Sequence, residues 1–193
     1  AGLNSKYMDK VVVTSDDADI LNIAKYYGVL SINRPIELSS DTATTFDAVE
    51  HAIENIKYYD YIVLLQPTSP LRTEWHIDKA IEFLINKEAD AIVSVCEMDH
   101  SPLWSNTLDD TLSMAEFLTK SIKNKRSQDL DSYYRINGAI YICDTKKLLK
   151  EKGFFIENGI YAFKMDRETS IDIDNEIDFQ LADLILKNKD VPH

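Results

Sequence analysis

Two aspartates close to the end of the chain have a spacing that suits a metal ion. Polar and apolar residues alternate from Ser170 to Asp174, so an extended backbone would place Asp172 and Asp174 on the same face, roughly 7 Å apart. Two such carboxylates suit a hard cation, and Mg²⁺ commonly joins one or two carboxylates to substrate phosphates. The pattern therefore predicts a magnesium site, with a plain alternative in which Asp174 caps the last helix and Asp172 is solvated.

A second polar group follows an apolar run near the middle of the chain. The run Tyr61 to Leu65 fits a buried central strand of a parallel sheet. The polar side chains that follow it are Gln66, Thr68, Ser69 and Arg72. Ligands of open α/β sheets bind beyond the carboxyl ends of the strands, so these residues predict a polar, polyhydroxylated or anionic ligand. The alternative is an ordinary strand-to-helix turn with Thr73 as the cap of the next helix.

Two arginines and an aromatic pair complete the candidates. Arg34 and Arg135 lie in otherwise acidic or apolar surroundings, and each could bind a carboxylate or phosphate through two hydrogen bonds. Surface arginines have the same appearance without a function. Phe154 and Phe155 could line a small apolar pocket, although adjacent aromatic residues more often belong to a core. No Ser-His-Asp arrangement and no Cys/His metal spacing is evident, and the scattered histidines receive no role.

The elements that must carry these side chains alternate along the first half of the chain. Apolar runs such as Lys10 to Thr14 and Ala91 to Val95 predict strands, and helical spacing between such runs predicts amphipathic helices. The first of these helices would bury Ile20, Ile23, Ala24 and Tyr27. Successive strand and helix units predict an α/β fold with a mainly parallel sheet and helices on both faces.

The second half of the chain is less regular. Residues 101 to 133 show no clear periodicity, and so long a connection predicts a functional or partner-binding segment, here a subunit contact. Asn137 and Gly138 are a turn signal before a strand from Gly138 to Ile142. The last helix is predicted from about residue 175 to residue 189. Its apolar face would contain Ile177, Leu181, Leu184 and Ile185.

Composition restricts the class of protein. With 193 residues, 45% hydrophobic and 28% charged, the chain is expected to form a single globular domain. A net charge of −12 argues against nucleic acid as a partner, and a phosphorylated substrate would need local cations or a metal. Cys96 and Cys143 lie in apolar runs, which predicts buried free thiols. Since no signal peptide and no membrane-spanning apolar run is evident, a cytoplasmic location without membrane contact is expected.

Taken together and in order, the motifs resemble those of the acylneuraminate cytidylyltransferases, the CMP-sialic acid synthetases. Each segment is a weak signal, but the ordered set is specific and covers nearly the whole chain. The segments are VVVTSDD, NRPIELSSDTATT, LLQPTSPLR, VSVCEMDHSPLW, RINGAIYICDT, the FF pair and SIDIDNEID.

The resemblance implies a Rossmann-like nucleotidyltransferase that uses Mg²⁺. Such an enzyme transfers CMP from CTP to N-acetylneuraminic acid, a nine-carbon sugar acid, and releases pyrophosphate. By resemblance, the substrate-binding residues are Gln66, Thr68, Ser69, Tyr141, Phe154 and Phe155, the last three around the N-acyl methyl group. The nucleotide-binding residues are Arg34 and Thr45, the metal ligands are Asp172 and Asp174, and the catalytic residues are these two aspartates and Arg135. The resemblance also implies a homodimer in which residues 101 to 133 form an exchanged arm.

Three other functions remain open at this point. The same reaction on legionaminic acid or a related nonulosonic acid fits the motifs almost as well. A non-catalytic module that binds a sugar acid or a nucleotide would share the binding residues without the chemistry. A glycosyltransferase could use Asp172 and Asp174 for the metal of a nucleotide-sugar, although such aspartates usually lie in mid-chain.

The sequence departs from the family pattern at two places. It begins with AGLNSKYMDK, which resembles the end of the helix after the family's glycine-rich nucleotide-binding loop. An N-terminally incomplete domain is therefore expected, without the first strand and that loop. Where the family often has an arginine before Gln-x-Leu, this chain has Ser127, with Arg126 one position earlier.

Overall fold

Strands and helices alternate along the chain in the structure, a computed structural model that describes residues 1–40 and 42–189. The strands are β1 (Val12–Ser15), β2 (Leu30–Asn33), β3 (Tyr61–Leu64), β4 (Ala91–Glu97), β5 (Tyr134–Asp144) and β6 (Ile160–Met165). The helices are α1 (Ala18–Tyr26), α2 (Thr45–Glu54), α3 (Glu74–Asn86), α4 (Thr145–Glu151) and α5 (Glu176–Lys189). None of the helices in the described part is long and apolar enough to cross a membrane.

The strands form two sheets. β1 and β2 form a parallel pair, and the second sheet has the order β3-β5-β4-β6. β4 and β6 are parallel, whereas β5 is antiparallel to both β3 and β4. The predicted α/β class is confirmed, but the sheet is mixed rather than mainly parallel. The reason is the irregular segment after β4, which returns to the end of that strand: Glu97 is opposite Tyr134, and the Met98 amide donates to the Tyr133 carbonyl at 2.9 Å.

A large bulge interrupts β5 opposite β4. Val93 is opposite Tyr141, but Val95 is opposite Ile136, so residues 137 to 140 have no paired residue in β4. Gly138 has a φ of 73° within this bulge. The predicted turn at Asn137 and Gly138 is therefore a bulge inside one strand, because the same residue types favour left-handed backbone in turns and in bulges.

Helices cover both faces of the larger sheet, as predicted. Ile92 and Ile142 contact one buried cluster together with Ile77 of α3. The neighbouring residues Ala91 and Cys143 contact a second cluster, because successive side chains of a strand point to opposite faces. Val49 of α2, Leu148 of α4 and Phe154 belong to this second cluster. The thiols of Cys96 and Cys143 are free and buried, as expected, and burial raises the pKa of Cys143 to about 12.

The predicted apolar faces of the first and last helices are wrong in part. In α1, Leu21 and Ala24 are buried, whereas Ile20 and Ile23 are 48% and 58% exposed, and Tyr27, directly after the helix, is 66% exposed. Helical spacing identifies an apolar stripe on a helix but not the element that packs against it. Here α1 packs against the narrow pair of β1 and β2. In α5, three residues of the predicted apolar face, Ile177, Leu181 and Leu184, are exposed and the fourth, Ile185, is half-buried. Ala182, which was not predicted to belong to that face, is buried.

Candidate functional site

The loop after β3 meets the bulge of β5 at Gly138. A β-carbon added to Gly138 would lie 2.7 Å from Gln66 Oε1, 3.3 Å from Asp172 Oδ2 and 3.4 Å from Ser69 Oγ. Gly138 thus marks the place where two segments far apart in the chain converge on β5. Its positive φ and its lack of a side chain allow this close approach.

Hydrogen bonds join the loop to both of its neighbours. Ser69 Oγ donates to the Asn137 carbonyl at 3.3 Å, and the Ile173 amide donates to the Thr68 carbonyl at 2.8 Å. Thr68 is exposed and Gln66 is half-buried, so their polar side-chain groups can face a ligand. Ser69 is fully buried, which gives its hydroxyl a supporting position beneath the loop instead of a surface for the sugar.

The two predicted metal ligands have different surroundings. Asp172 is half-buried, and its Oδ1 is buried without a hydrogen-bond partner in the part of the chain that the structure describes. Asp174 is exposed. The cap of α5 is Asn175, whose Oδ1 accepts from the Ile177 and Asp178 amides. The alternative of Asp174 as the cap and Asp172 in solvent therefore does not fit the structure.

A buried carboxylate oxygen without a partner is a position that a cation can occupy. Within residues 1–40 and 42–189, no group of three or more His, Cys, Asp or Glu side chains could hold a metal by itself. Mg²⁺ does not require such a group, because it usually keeps several waters and takes one or two protein carboxylates. The oxygen chemistry of Asp172 and Asp174 fits that ion.

Arg135 and a buried amide hold the segment that leads to Asp172. Arg135 Nη2 donates to the Ser170 carbonyl at 3.1 Å. In the side chain of Asn137, Nδ2 donates to Ser170 Oγ at 2.8 Å and Oδ1 accepts from Ser94 Oγ at 2.6 Å. Asn137, Ser94 and Ser170 are fully buried. Asn137 was predicted only as a turn residue. The sequence signal for its role in this network was Ser94, a hydroxyl inside an otherwise apolar strand that needs a buried hydrogen-bond partner.

The aromatic candidates lie beside the carboxylate. The Tyr141 ring centroid is 5.7 Å from that of Phe154 and 6.4 Å from that of Phe155. Phe154 is a core residue, whereas Phe155 is 63% exposed and can face a ligand. Burial, and then the negative charge of Asp172, raise the pKa of Tyr141. The charge of Asp172 therefore acts on the Tyr141 hydroxyl, and Asp172 Oδ2 is one of the atoms close to Gly138.

The predicted nucleotide residues lie apart from the Gly138 cluster. Arg34, at the end of β2, donates from Nε to Ser39 Oγ at 2.8 Å and has Nη2 3.5 Å from Asp16 Oδ1. Thr45 is exposed at the first position of α2. Its neighbour Phe46 packs against the buried cluster that contains Phe154. In the described part of the chain neither Arg34 nor Thr45 is hydrogen-bonded to the residues around Gly138.

Arg126 lies in the irregular segment between β4 and β5. It is exposed, its amide donates to Asp129 Oδ2 at 3.3 Å, and it makes no ion pair with the residues that the structure describes. In the described part of the chain, Arg126 forms no hydrogen bond or ion pair with the residues around Gly138.

Known proteins resemble this chain in sequence and in fold. A family model described as "Cytidylyltransferase" matches residues 1–189. N-acylneuraminate cytidylyltransferase of Escherichia coli is 35% identical over 190 residues, which are 98% of this chain and 45% of that protein. CMP-N,N'-diacetyllegionaminic acid synthase of Legionella pneumophila is 30% identical over 97% of this chain and 82% of its own length.

A solved structure shares the fold. CMP:2-keto-3-deoxy-manno-octonic acid synthetase, complexed with CTP, superposes with a TM-score of 0.69 at 12% identity, over 97% of this chain and 85% of that one. This likeness confirms the predicted Rossmann-like class. The chain spans less than half the length of the relatives that it matches at 35% identity, with 45% and 43% covered in two of them.

Proposed function

Because the chain belongs to the cytidylyltransferase family, we propose that it transfers CMP from CTP to the anomeric hydroxyl of N-acetylneuraminic acid. Pyrophosphate is the second product. The observation that carries the proposal is the convergence of Gln66, Ser69 and Asp172 on Gly138. This convergence builds one polar site from segments that resemble the family's sugar and metal motifs.

The reaction is an in-line attack of the anomeric oxygen on the α-phosphorus of CTP. The hydroxyl gives up its proton to solvent as a bond forms between its oxygen and phosphorus. The bond from phosphorus to the bridging oxygen breaks, and pyrophosphate leaves with the electron pair. No covalent enzyme intermediate is required, so positioning and electrostatics must supply the rate enhancement.

The residues of the site have separate tasks in this proposal. Gln66 binds the sugar hydroxyls and carboxylate through its side-chain amide beside Gly138, and Thr68 does so through its exposed hydroxyl. Arg135, which the Ser170 carbonyl orients, binds an anionic group of the sugar acid or the phosphate. Tyr141 and Phe155 contact the N-acyl methyl group with their rings.

The nucleotide and the metal complete the proposed site. Arg34 and Thr45 lie at the cytidine end. Mg²⁺ would be held by the exposed Asp174 and by Asp172, through the Oδ1 atom that has no hydrogen-bond partner among the described residues. When bound, the ion would neutralise charge on the phosphoryl oxygens.

We further propose that the protein is a homodimer. The segment from residue 101 to residue 133 exposes Leu108, Leu112 and Met114 by 54%, 68% and 59%. Side chains of this kind are typical of the apolar part of a subunit interface. Sedimentation equilibrium tests this, and a monomer at micromolar concentration would contradict it.

The buried free thiols support the proposed cytoplasmic location.

The test of the activity is a pyrophosphate-release assay with CTP, Mg²⁺ and N-acetylneuraminic acid, with the CMP-sugar identified by mass spectrometry. We expect release that requires all three components and stops when EDTA removes the metal. Binding of the sugar acid or CTP without release would indicate a non-catalytic module and would contradict the proposed transfer.

A second candidate substrate is legionaminic acid, because the Legionella pneumophila relative is matched over 82% of its length. In a parallel pyrophosphate-release assay, the kcat/KM for legionaminic acid should be lower than that for N-acetylneuraminic acid. The reverse order would assign the chain to the legionaminic acid reaction.

A further inference from the structure

We propose that Arg72 is a positioning residue that fastens the loop of residues 66 to 72 to the bulge of β5. It thereby keeps Gln66 and Thr68 placed for the sugar acid. The inference rests on the proposed function of the same site, and it adds a residue that does not itself face the ligand.

The guanidinium of Arg72 bridges two backbone carbonyls. Its Nη1 donates to the Gln66 carbonyl at 3.1 Å and to the Ala139 carbonyl at 2.8 Å. Gln66 begins the loop, and Ala139 belongs to the bulge next to Gly138. A single nitrogen is therefore hydrogen-bonded to both the loop and the bulge.

The loop needs such a side-chain anchor because its own backbone offers few donors. Pro67 and Pro70 have no amide hydrogen, so neither can donate to a neighbouring strand. β3 ends at Leu64, and its pairing with β5 stops there, opposite Tyr141. Beyond that pair, the described hydrogen bonds from the loop to β5 come from the side chains of Ser69 and Arg72.

The backbone groups of the bulge also need hydrogen-bond partners from side chains. Residues 137 to 140 are paired with neither β3 nor β4, so their backbone groups must find other partners. The Ala139 amide donates to Asn137 Oδ1 at 3.3 Å, and the Ile140 amide donates to Ser94 Oγ at 2.8 Å. The Ala139 carbonyl takes its hydrogen bond from Arg72.

The charge of Arg72 also needs an explanation. It makes no ion pair with any carboxylate in the described part of the chain, and its Nε is buried without a hydrogen-bond partner there. Burial of the guanidinium lowers the pKa of Arg72. A half-buried cation without such an ion pair is unfavourable for stability, but in a chain with a net charge of −12 it places a positive charge beneath a site for anionic substrates.

The first experiment compares Arg72→Met and Arg72→Lys with the wild-type protein. In Arg72→Met the KM for the sugar acid should rise about 10- to 100-fold, because two carbonyls lose a charged donor. The KM for CTP should stay within about twofold of wild type. In Arg72→Lys, whose side chain can reach one carbonyl, the KM for the sugar acid should lie between those of wild type and Arg72→Met.

The matched control is Arg167→Met. Arg167 also binds a backbone carbonyl, that of Met98 at 2.9 Å, and pairs with Asp99 at 2.8 Å, but none of the hydrogen bonds and ion pairs of its side chain in the described structure reaches the loop. We expect wild-type KM values for this variant. Equal increases in KM for the sugar acid and CTP in Arg72→Met would show a general structural defect and would overturn the proposal.

Two further measurements separate positioning from stability and from the proposed activity. Free guanidinium should restore sugar-acid affinity to Arg72→Ala, whereas methylammonium at the same concentration should not. Hydrogen exchange of the Ile173 amide, which donates to Thr68, should accelerate about tenfold or more in Arg72→Met, because the loop carrying its acceptor is loosened. This holds even if wild-type protein turns over no sugar acid, a result that would contradict only the function. Unchanged exchange would overturn the positioning role, and so would a lack of rescue by guanidinium if the wild-type protein binds the sugar acid.

Discussion

Replacement of Gly138 by alanine separates the stability of the fold from the geometry of the site. The added β-carbon would lie 2.7 Å from Gln66 Oε1, which is too close for any real contact, and 3.3 Å from Asp172 Oδ2. Gln66 Oε1 is the end of a flexible side chain, so it can move away at little cost to the fold. The site, however, loses the position of its amide.

The expected magnitudes follow from the backbone and from the clash. Alanine at a φ of 73° is strained, and the free energy of unfolding should fall by about 1–2 kcal/mol. Displacement of the Gln66 amide removes at least one hydrogen bond to the sugar acid, so its dissociation constant should rise about tenfold. Binding of CTP should change by less than about twofold.

Gly28→Ala is the matched control, because Gly28 has a φ of 69° and no heavy atom would lie within 4 Å of the added carbon. Urea denaturation should show a similar loss of stability in both variants, whereas calorimetry should show weaker sugar-acid binding in Gly138→Ala alone. Unchanged sugar-acid affinity in Gly138→Ala would refute the placement of Gln66 in the site. Equal weakening in both variants would refute the local explanation.

Three further outcomes are expected. In Asp172→Asn, spectrophotometric titration should find the pKa of Tyr141 lower than in wild type but still above its usual value, because burial is the larger cause of the shift; an unchanged pKa would contradict their proximity. Asn137→Ala should lower the free energy of unfolding by about 2–4 kcal/mol in urea, because two buried hydroxyls each lose one of their hydrogen bonds. Hydrogen bonds from lysine side chains, Lys79 foremost, lower the pKa of Glu82 from 4.5 to about 2. The stability difference between wild type and Glu82→Gln should therefore be constant above about pH 5.5 and disappear as the pH falls towards 2; a difference that grows in acid would contradict this sign.

Local patterns were sufficient for the class of fold and for the segments of the site. Alternating apolar runs and helical spacings predicted an α/β chain with helices on both faces, because burial against a sheet requires those two periods. The polar residues after β3 and the aspartates before α5 were identifiable because polar side chains interrupt or follow apolar runs there. These signals depend on near neighbours in the chain.

Tertiary structure decided which side chains face a ligand and which hold the site together. The spacing in α1 did not reveal that Ile20 and Ile23 would be exposed, because a helix has several overlapping stripes and its neighbour selects one. Ser69 looked like a ligand-binding hydroxyl and is buried. Asn137 looked like a turn residue and lies in a hydrogen-bond network with Ser94 and Ser170.

Residue patterns were enough to predict the class of fold and the segments that carry polar groups. They did not predict the antiparallel direction of β5, its bulge, or the bridge from Arg72 to Gln66 and Ala139. The physical reason is that these features depend on hydrogen bonds between residues far apart in the chain. Residue types predict that such groups need partners, but not which partners they find.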